Sequence, residues 1–372
     1  MILRAALLIV LVMAVLPSRA DSTYVSRIEA DALGCAVVRA NSFLRGKNPT
    51  GESLKWAGAL KLKYTRLLPG DSLTIPSYFG GGIAVYDYGS LFGRPFSAFA
   101  TQGAPLLRLS DRLTVCYELQ LGVSGGWKGY DDNTMNHVLG SHVNAYIGAD
   151  VFLSYRLSRC WDLNFGYGYL HFSNANLEMP NEGLNAMGLR LSAAYSARRP
   201  EEPSRASCII NKPFAKDERR WYTDVMVYGG LKRKSLYLEG LFSVWGICVS
   251  PMWRLNRAFA IGPSFDGVYD RSMSLVTSPS AETENMLTYR MPAATKQMAL
   301  GLQARAELTM PALRASAGAG RYMVGGFRGF YETLAFKANV TRRVFLNVGY
   351  TLYNYHYSNN IMVGLGYRFG AT

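Results

Sequence analysis

The sequence predicts an all-β protein, a transmembrane antiparallel β-barrel fold of sixteen strands, and three observations lead there. Apolar residues are seldom contiguous; in run after run they alternate with Gly, Ser, Asn or Arg, the period of a strand with two unlike faces. Composition agrees, since 24 Tyr, 17 Phe and 37 Gly in 372 residues favour strands. On the polar face the residues are small or charged, as a closed lumen requires, while aromatics gather on the other face. After the first residues no apolar run reaches the roughly 20 that a spanning helix needs, so the chain is either soluble or crosses a membrane as strands.

Taken in order, residues 1–20 have the layout of a cleaved secretory signal: Arg4, an apolar stretch from Ala5 to Leu16, then small Ser18 and Ala20 before Asp21. Residues 21–197 form the first half, with strand-like runs near 31–40, 53–68, 80–88, 96–109, 112–126, 142–156, 161–173 and 184–197. Residues 198–220 read as a linker, rich in Pro200, Pro203, Pro213, Glu201, Glu202, Lys216, Asp217 and Glu218. Residues 221–372 form the second half, with runs near 221–230, 236–253, 257–269, 297–310, 312–323, 329–341, 344–357 and 360–369.

The halves read as distant copies. Turns of similar wording recur, Arg108-Leu109-Ser110-Asp111-Arg112 and Arg156-Leu157-Ser158-Arg159 in one, Arg254-Leu255-Asn256-Arg257 and Val340-Thr341-Arg342-Arg343 in the other. Each half also carries a tetrad near its end, His171-Phe172-Ser173-Asn174 and His356-Tyr357-Ser358-Asn359. Two tandem eight-stranded barrels are therefore expected, with one sixteen-stranded barrel as the alternative. If the short Arg-rich turns are periplasmic, the long connections at 127–141, 174–184 and 270–296 all fall outside the cell. The run from Trp161 to Ser173 then points outward and ends at the outer leaflet.

A formal net charge of +14 suits a surface that meets phosphates, and for an exported chain lipopolysaccharide and outer-membrane lipid fit better than nucleic acid. The five cysteines, Cys35, Cys116, Cys160, Cys208 and Cys248, are odd in number and show no disulfide framework. No metal-ligand spacing appears and no cofactor is called for.

The chemistry gathers on 167–185. Read with a period of two, Phe165, Tyr167, Tyr169, His171 and Ser173 share one face; after the turn signals Asn176, Pro180, Asn181 and Gly183, the residues Asn185, Met187, Leu189 and Leu191 share the corresponding face of the next strand. A serine hydrolase needs a hydroxyl, a base within reach and a group that orients the base. His171 and Ser173 supply the first two and Asn185 can approach the far side of the imidazole. Asn174, or backbone N–H groups in the turn it opens, can stabilise an oxyanion. Tyr167, Tyr169, Met187 and Leu189 stand on the right side for an acyl groove.

The motif His171-Phe172-Ser173-Asn174-Ala175 followed by Pro180-Asn181 and Gly183 resembles the outer-membrane lipid A 3-O-deacylases, also called acyloxyacyl hydrolases, over roughly residues 30–197. The resemblance implies an eight-stranded barrel in the cell outer membrane whose active site lies on its outer, lipid-facing wall. It further implies ester hydrolysis at the 3-position of lipid A, with His171 as general base and Ser173 as nucleophile. The third member in the best-known relatives is Glu, where this sequence has Asn185; Glu178 and Glu182 in the adjoining loop are possible substitutes.

Taken alone, a His and a Ser near a strand end are interfacial polar residues, and the downstream Pro-Asn-x-Gly turns the reading toward catalysis. Asn185 is either the orienting group or a plain strand-start residue. His356 and Ser358 keep the spacing but lose the loop, and read as a decayed copy serving the barrel wall. The competing function is a non-catalytic outer-membrane barrel, a pore or structural protein, in which the motif is silent.

Overall fold

The computed structural model describes residues 25–68, 77–197, 219–280, 286–310, 313–354 and 357–370. The expected signal, most of the expected linker, Cys208 and His356 lie outside these residues. Eight strands form the first unit: β1 (Val25–Val37), β2 (Trp56–Leu68), β3 (Ser77–Asp87), β4 (Gly93–Arg108), β5 (Leu113–Trp127), β6 (Asn144–Arg156), β7 (Trp161–Ser173) and β8 (Leu184–Ser196). Each pairs antiparallel with the next and β8 pairs back onto β1, closing the barrel. The second barrel comprises β9 (Trp221–Lys232), β10 (Phe242–Arg254), β11 (Phe259–Asp270), β14 (Met298–Thr309), β15 (Leu313–Gly325), β16 (Gly329–Asn339), β17 (Val344–Tyr353) and β18 (Tyr357–Phe369), closed by β18 on β9. A two-stranded hairpin, β12 (Val276–Pro279) and β13 (Leu287–Arg290), is inserted between β11 and β14. The fold is thus two closed eight-stranded barrels, and the single wide barrel is overturned by the pairings β1 to β8 and β18 to β9.

The alternation read from the sequence is the inside and outside of each wall. Along β1 the residues Arg27, Glu29 and Asp31 are buried while Ile28 is exposed. The lumen is filled by ionised side chains. Arg190 Nε stands 2.9 Å from Asp31 and its Nη1 3.3 Å from Asp150, and it also meets Glu29. Lys63 Nζ reaches Glu118 at 2.7 Å, and Glu29 and Asp31 at 3.2 Å each. Asp31, Glu118 and Asp150 bring one oxygen each within 4.8 Å of one another, a carboxylate cluster already compensated by Lys61, Lys63 and Arg190. The second lumen repeats the device with other residues: Glu307 accepts from Lys337 at 2.6 Å and Arg368 at 2.9 Å, while Asp224 accepts from Nε and Nη2 of Arg368.

The four similarly worded turns are also built alike. In each, two successive N–H groups donate to one carbonyl: Leu109 and Ser110 to Leu113, Leu157 and Ser158 to Trp161, Leu255 and Asn256 to Phe259, Val340 and Thr341 to Val344. In each, the Ser, Asn or Thr side chain accepts a backbone N–H two residues on, which is why those residue types recur there. At the opposite end of the first barrel the connections pack into a cap. Phe43, Leu44, Tyr88, Phe92, Val138 and Leu139 are buried with Trp127, Tyr146 and Phe172 beneath them.

Three expectations change. β1 begins at Val25 rather than near 31, and 236–241 is not strand. The third concerns the second tetrad. β17 ends at Tyr353, Asn354 turns left-handed (φ 50°), and β18 has already begun at Tyr357, so Ser358 lies on the returning strand, paired with Leu352.

Candidate active site

The β7–β8 hairpin carries His171, Ser173, Asn185, Tyr167, Tyr169, Met187 and Leu189, while Asn174 follows the end of β7 and is buried. In its register His171 lies opposite Asn185, Tyr169 opposite Met187 and Tyr167 opposite Leu189. Antiparallel partners present side chains on the same face, so these six form one patch. Tyr167 and Leu189 are exposed, and the intervening Gly168, Leu170, Phe172, Ala186 and Gly188 are buried inward.

His171 Nδ1 lies 2.7 Å from Asn185 Oδ1, and the Tyr169 hydroxyl donates to the same oxygen at 2.6 Å. An amide oxygen only accepts, so this contact calls for the proton on Nδ1, which in the neutral imidazole leaves the lone pair on Nε2. Glu178 and Glu182 are exposed, and the orienting contact goes to Asn185.

Ser173 is the last residue of β7 and is buried; the Asn181 amide donates to its Oγ at 3.1 Å. The Asn181 side-chain oxygen in turn accepts the Asn174 N–H at 3.1 Å, so one Asn ties both sides of the strand end. The Asn174 side chain is buried and donates to Ser141 Oγ at 3.1 Å. Asn181 was visible in the sequence as a turn residue only, and its contact with the serine was not. Ser141 was missed altogether, because it arrives from the β5–β6 connection, remote in sequence.

That connection buttresses the turn. Val138 O accepts the Gly183 N–H at 3.0 Å and His137 O accepts the Glu182 N–H at 3.3 Å. Gly183 itself has φ +78°, a conformation that L side chains rarely adopt. A Cβ there would sit 3.2 Å from His171 Cε1 and 3.9 Å from Ser173 Cβ, so imidazole and serine flank this one glycine. Ala175 and Asn176 are also left-handed, at φ 56° and 62°.

A depression of about 530 Å³ runs along the same wall, within the span of ligand pockets. Leu189 and Leu191 form one side, Ala32, Gly34 and Gly58 the floor, and Leu60 with Val85 the far side. Of the four residues expected to form an acyl groove, Leu189 lines it, beside small residues on β1 and β2 that carry no motif.

Comparison with known proteins follows this division of the chain. Residues 110–194 match the family described as lipid A 3-O-deacylase (PagL), and residues 221–371 match the acyloxyacyl hydrolase C-terminal domain. No curated protein matches the chain. Among solved structures, that of the outer membrane enzyme PagL aligns at 17% identity and TM-score 0.31, covering 44% of this chain and 97% of that one. The siderophore receptor PirA from Pseudomonas aeruginosa aligns at 10% identity and TM-score 0.23, covering 92% of this chain and 79% of that one. An outer membrane channel from Pseudomonas putida F1 aligns at 10% identity and TM-score 0.20, covering 95% and 98%.

Proposed function

For a chain that belongs to the lipid A 3-O-deacylase family and whose second barrel matches the acyloxyacyl hydrolase C-terminal domain, we propose an outer-membrane esterase that removes the 3-O-linked acyl chain of lipid A. The observation that carries this reading is the contact of His171 Nδ1 with Asn185 Oδ1, two residues from Ser173 and on the same outer wall. It leaves Nε2 as the ring nitrogen that can act as the base.

The reaction has two stages. Ser173 Oγ attacks the acyl carbonyl carbon while His171 Nε2 takes its proton, and the oxyanion meets the amides of Asn174 and Asn181 beside the serine. The carbon–oxygen bond to the sugar then breaks, and His171 returns the proton to the departing sugar hydroxyl. Water next attacks the acyl-serine with His171 again as base, releasing the fatty acid and restoring Ser173.

Membrane insertion is supported by the outer faces, where Leu60, Leu62, Ile83, Val151, Phe165 and Leu191 are exposed on the first barrel, and Trp245, Ile247, Phe265 and Leu302 on the second. In a bilayer this wall faces acyl chains, so a two-tailed substrate reaches Ser173 by lateral diffusion. The depression beside Leu189 accepts the acyl chain, and exported chain and outer-membrane residence follow from the same reading. The pore alternative is opposed by lumens crowded with buried ion pairs. The test is mass spectrometry of lipid A from cells carrying the protein or its Ser173→Ala variant. Loss of one 3-hydroxyacyl chain with the first and none with the second is expected; identical lipid A, with steady ion conductance in planar bilayers, would overturn the assignment.

A further inference from the structure

A neutral orienting group creates a problem that a carboxylate does not have. Both oxygens of a Glu accept, whereas Asn185 has one oxygen and one NH₂, and only the oxygen toward His171 fixes the proton on Nδ1. With the amide reversed, its NH₂ would donate to Nδ1, the proton would move to Nε2, and the imidazole could no longer take a proton from Ser173.

The Tyr169 hydroxyl lies 2.6 Å from the same Asn185 oxygen that His171 Nδ1 meets at 2.7 Å. Tyr169 is on the same face of β7, two residues before His171, and diagonal to Asn185 across the ladder. We infer that Tyr169 is a positioning residue that selects the catalytic orientation of Asn185 and, through it, the Nδ1–H tautomer of His171. Reversal of the amide would leave the phenol proton without an acceptor on a wall that faces lipid, and an unpaired donor in such surroundings is costly. In Tyr169→Phe both amide orientations satisfy the imidazole equally, so the wrong tautomer becomes populated. The inference rests on the Ser173/His171 reading, and it gives Tyr169 a task beyond lining a groove.

The experiment uses the full chain in lipid nanodiscs, as wild type, Tyr169→Phe, Asn185→Glu and the double variant. Nitrogen-15 NMR of labelled imidazoles, with His171→Gln to assign the signal among the four histidines, reads the tautomer without requiring activity. The wild type should show the Nδ1–H form and Tyr169→Phe a substantial Nε2–H fraction, while the double variant, whose carboxylate accepts either way, should return to Nδ1–H. In parallel, kcat on lipid A should fall about tenfold in Tyr169→Phe with KM little changed, but no more than about twofold when the same change is made in Asn185→Glu. An unchanged tautomer in Tyr169→Phe, or equal losses of kcat in both backgrounds, overturns the inference and leaves Tyr169 as a wall residue. Failure of the serine reading has a different signature, since Ser173→Ala would then retain activity whatever the tautomer does.

Discussion

The two barrels are alike in the pattern of their walls, in how the lumen is filled and in one kind of turn, and they differ where β7 and β17 end. In the first barrel ten residues separate β7 from β8, and they fold back so that Asn181 and Gly183 pack against the strand that carries His171 and Ser173. In the second, β17 and β18 are joined after Tyr353 by residues 354–356, and Ser358 is drawn into the returning strand opposite Leu352. Ser173 therefore ends its strand before a long turn, whereas Ser358 lies within the backbone ladder of β18. The difference teaches that the barrel supplies a platform and that, under the proposed function, it is the long turn that would complete the site.

The largest expected effect separates the two tetrads. Ser173→Ala and His171→Ala should each lower the rate of fatty-acid release by roughly 10³-fold or more, and Ser358→Ala should leave it nearly unchanged. Activity that survives in Ser173→Ala but not in Ser358→Ala would move the active site to the second barrel and break the comparison.

The lumens should respond alike. Arg190→Leu takes the shared guanidinium from Glu29, Asp31 and Asp150, and Lys337→Leu takes the shared ammonium from Asp224 and Glu307. Each should cost about 3–5 kcal/mol of its barrel's stability, read as a shift in denaturant midpoint from tryptophans of that half. Wild-type midpoints for both variants would mean that the ion pairs are dispensable.

The remaining two changes sharpen the contrast at the wall. Gly183→Ala should lower kcat by about 10-fold to 100-fold, because a left-handed alanine costs about 1–2 kcal/mol and its methyl presses on His171 at the turn. Circular dichroism should show the barrel intact, and an unaffected kcat would release the turn from its role. Smallest of all, Leu189→Ala should raise KM by about threefold to tenfold through lost acyl contact, whereas Leu365→Ala on the second barrel's exposed face should not alter it. Equal effects would show that any apolar wall serves.

Much of this was legible in the sequence because alternation is a local signal and each hairpin closes on itself. The start of β1 was not, since its inward residues are charged: Arg27 pairs with Glu29 beside it, and Glu29 and Asp31 are matched by Lys63 and Arg190 from other strands. The β12–β13 hairpin escaped notice because seven of its eight residues are exposed and show no two-sided pattern. His171, Ser173 and Asn185 could be grouped because a single hairpin carries them, and their register makes His171 and Asn185 direct partners. What the sequence could not supply was direction within that group. That the Tyr169 hydroxyl turns to Asn185, or that Asn181 reaches Ser173, depends on side-chain geometry rather than spacing.

If the proposed membrane esterase is right, the position of Ser173 as the final residue of a thirteen-residue strand also makes the first barrel a depth gauge. At about 3.3 Å per residue and a tilt of about 40°, such a strand rises roughly 33 Å, close to the hydrocarbon thickness of a bilayer. The serine is then held at one height, where acyl chains meet their sugar. Under the proposed function, esters attached at that height would come within reach and those buried lower would not, so the choice among chemically similar ester bonds would be made by altitude. Lengthening β7 and β8 by two residues each would keep every side chain on its face and lift the serine by about 5 Å. The catalytic group would be intact, and it would pass above its substrate.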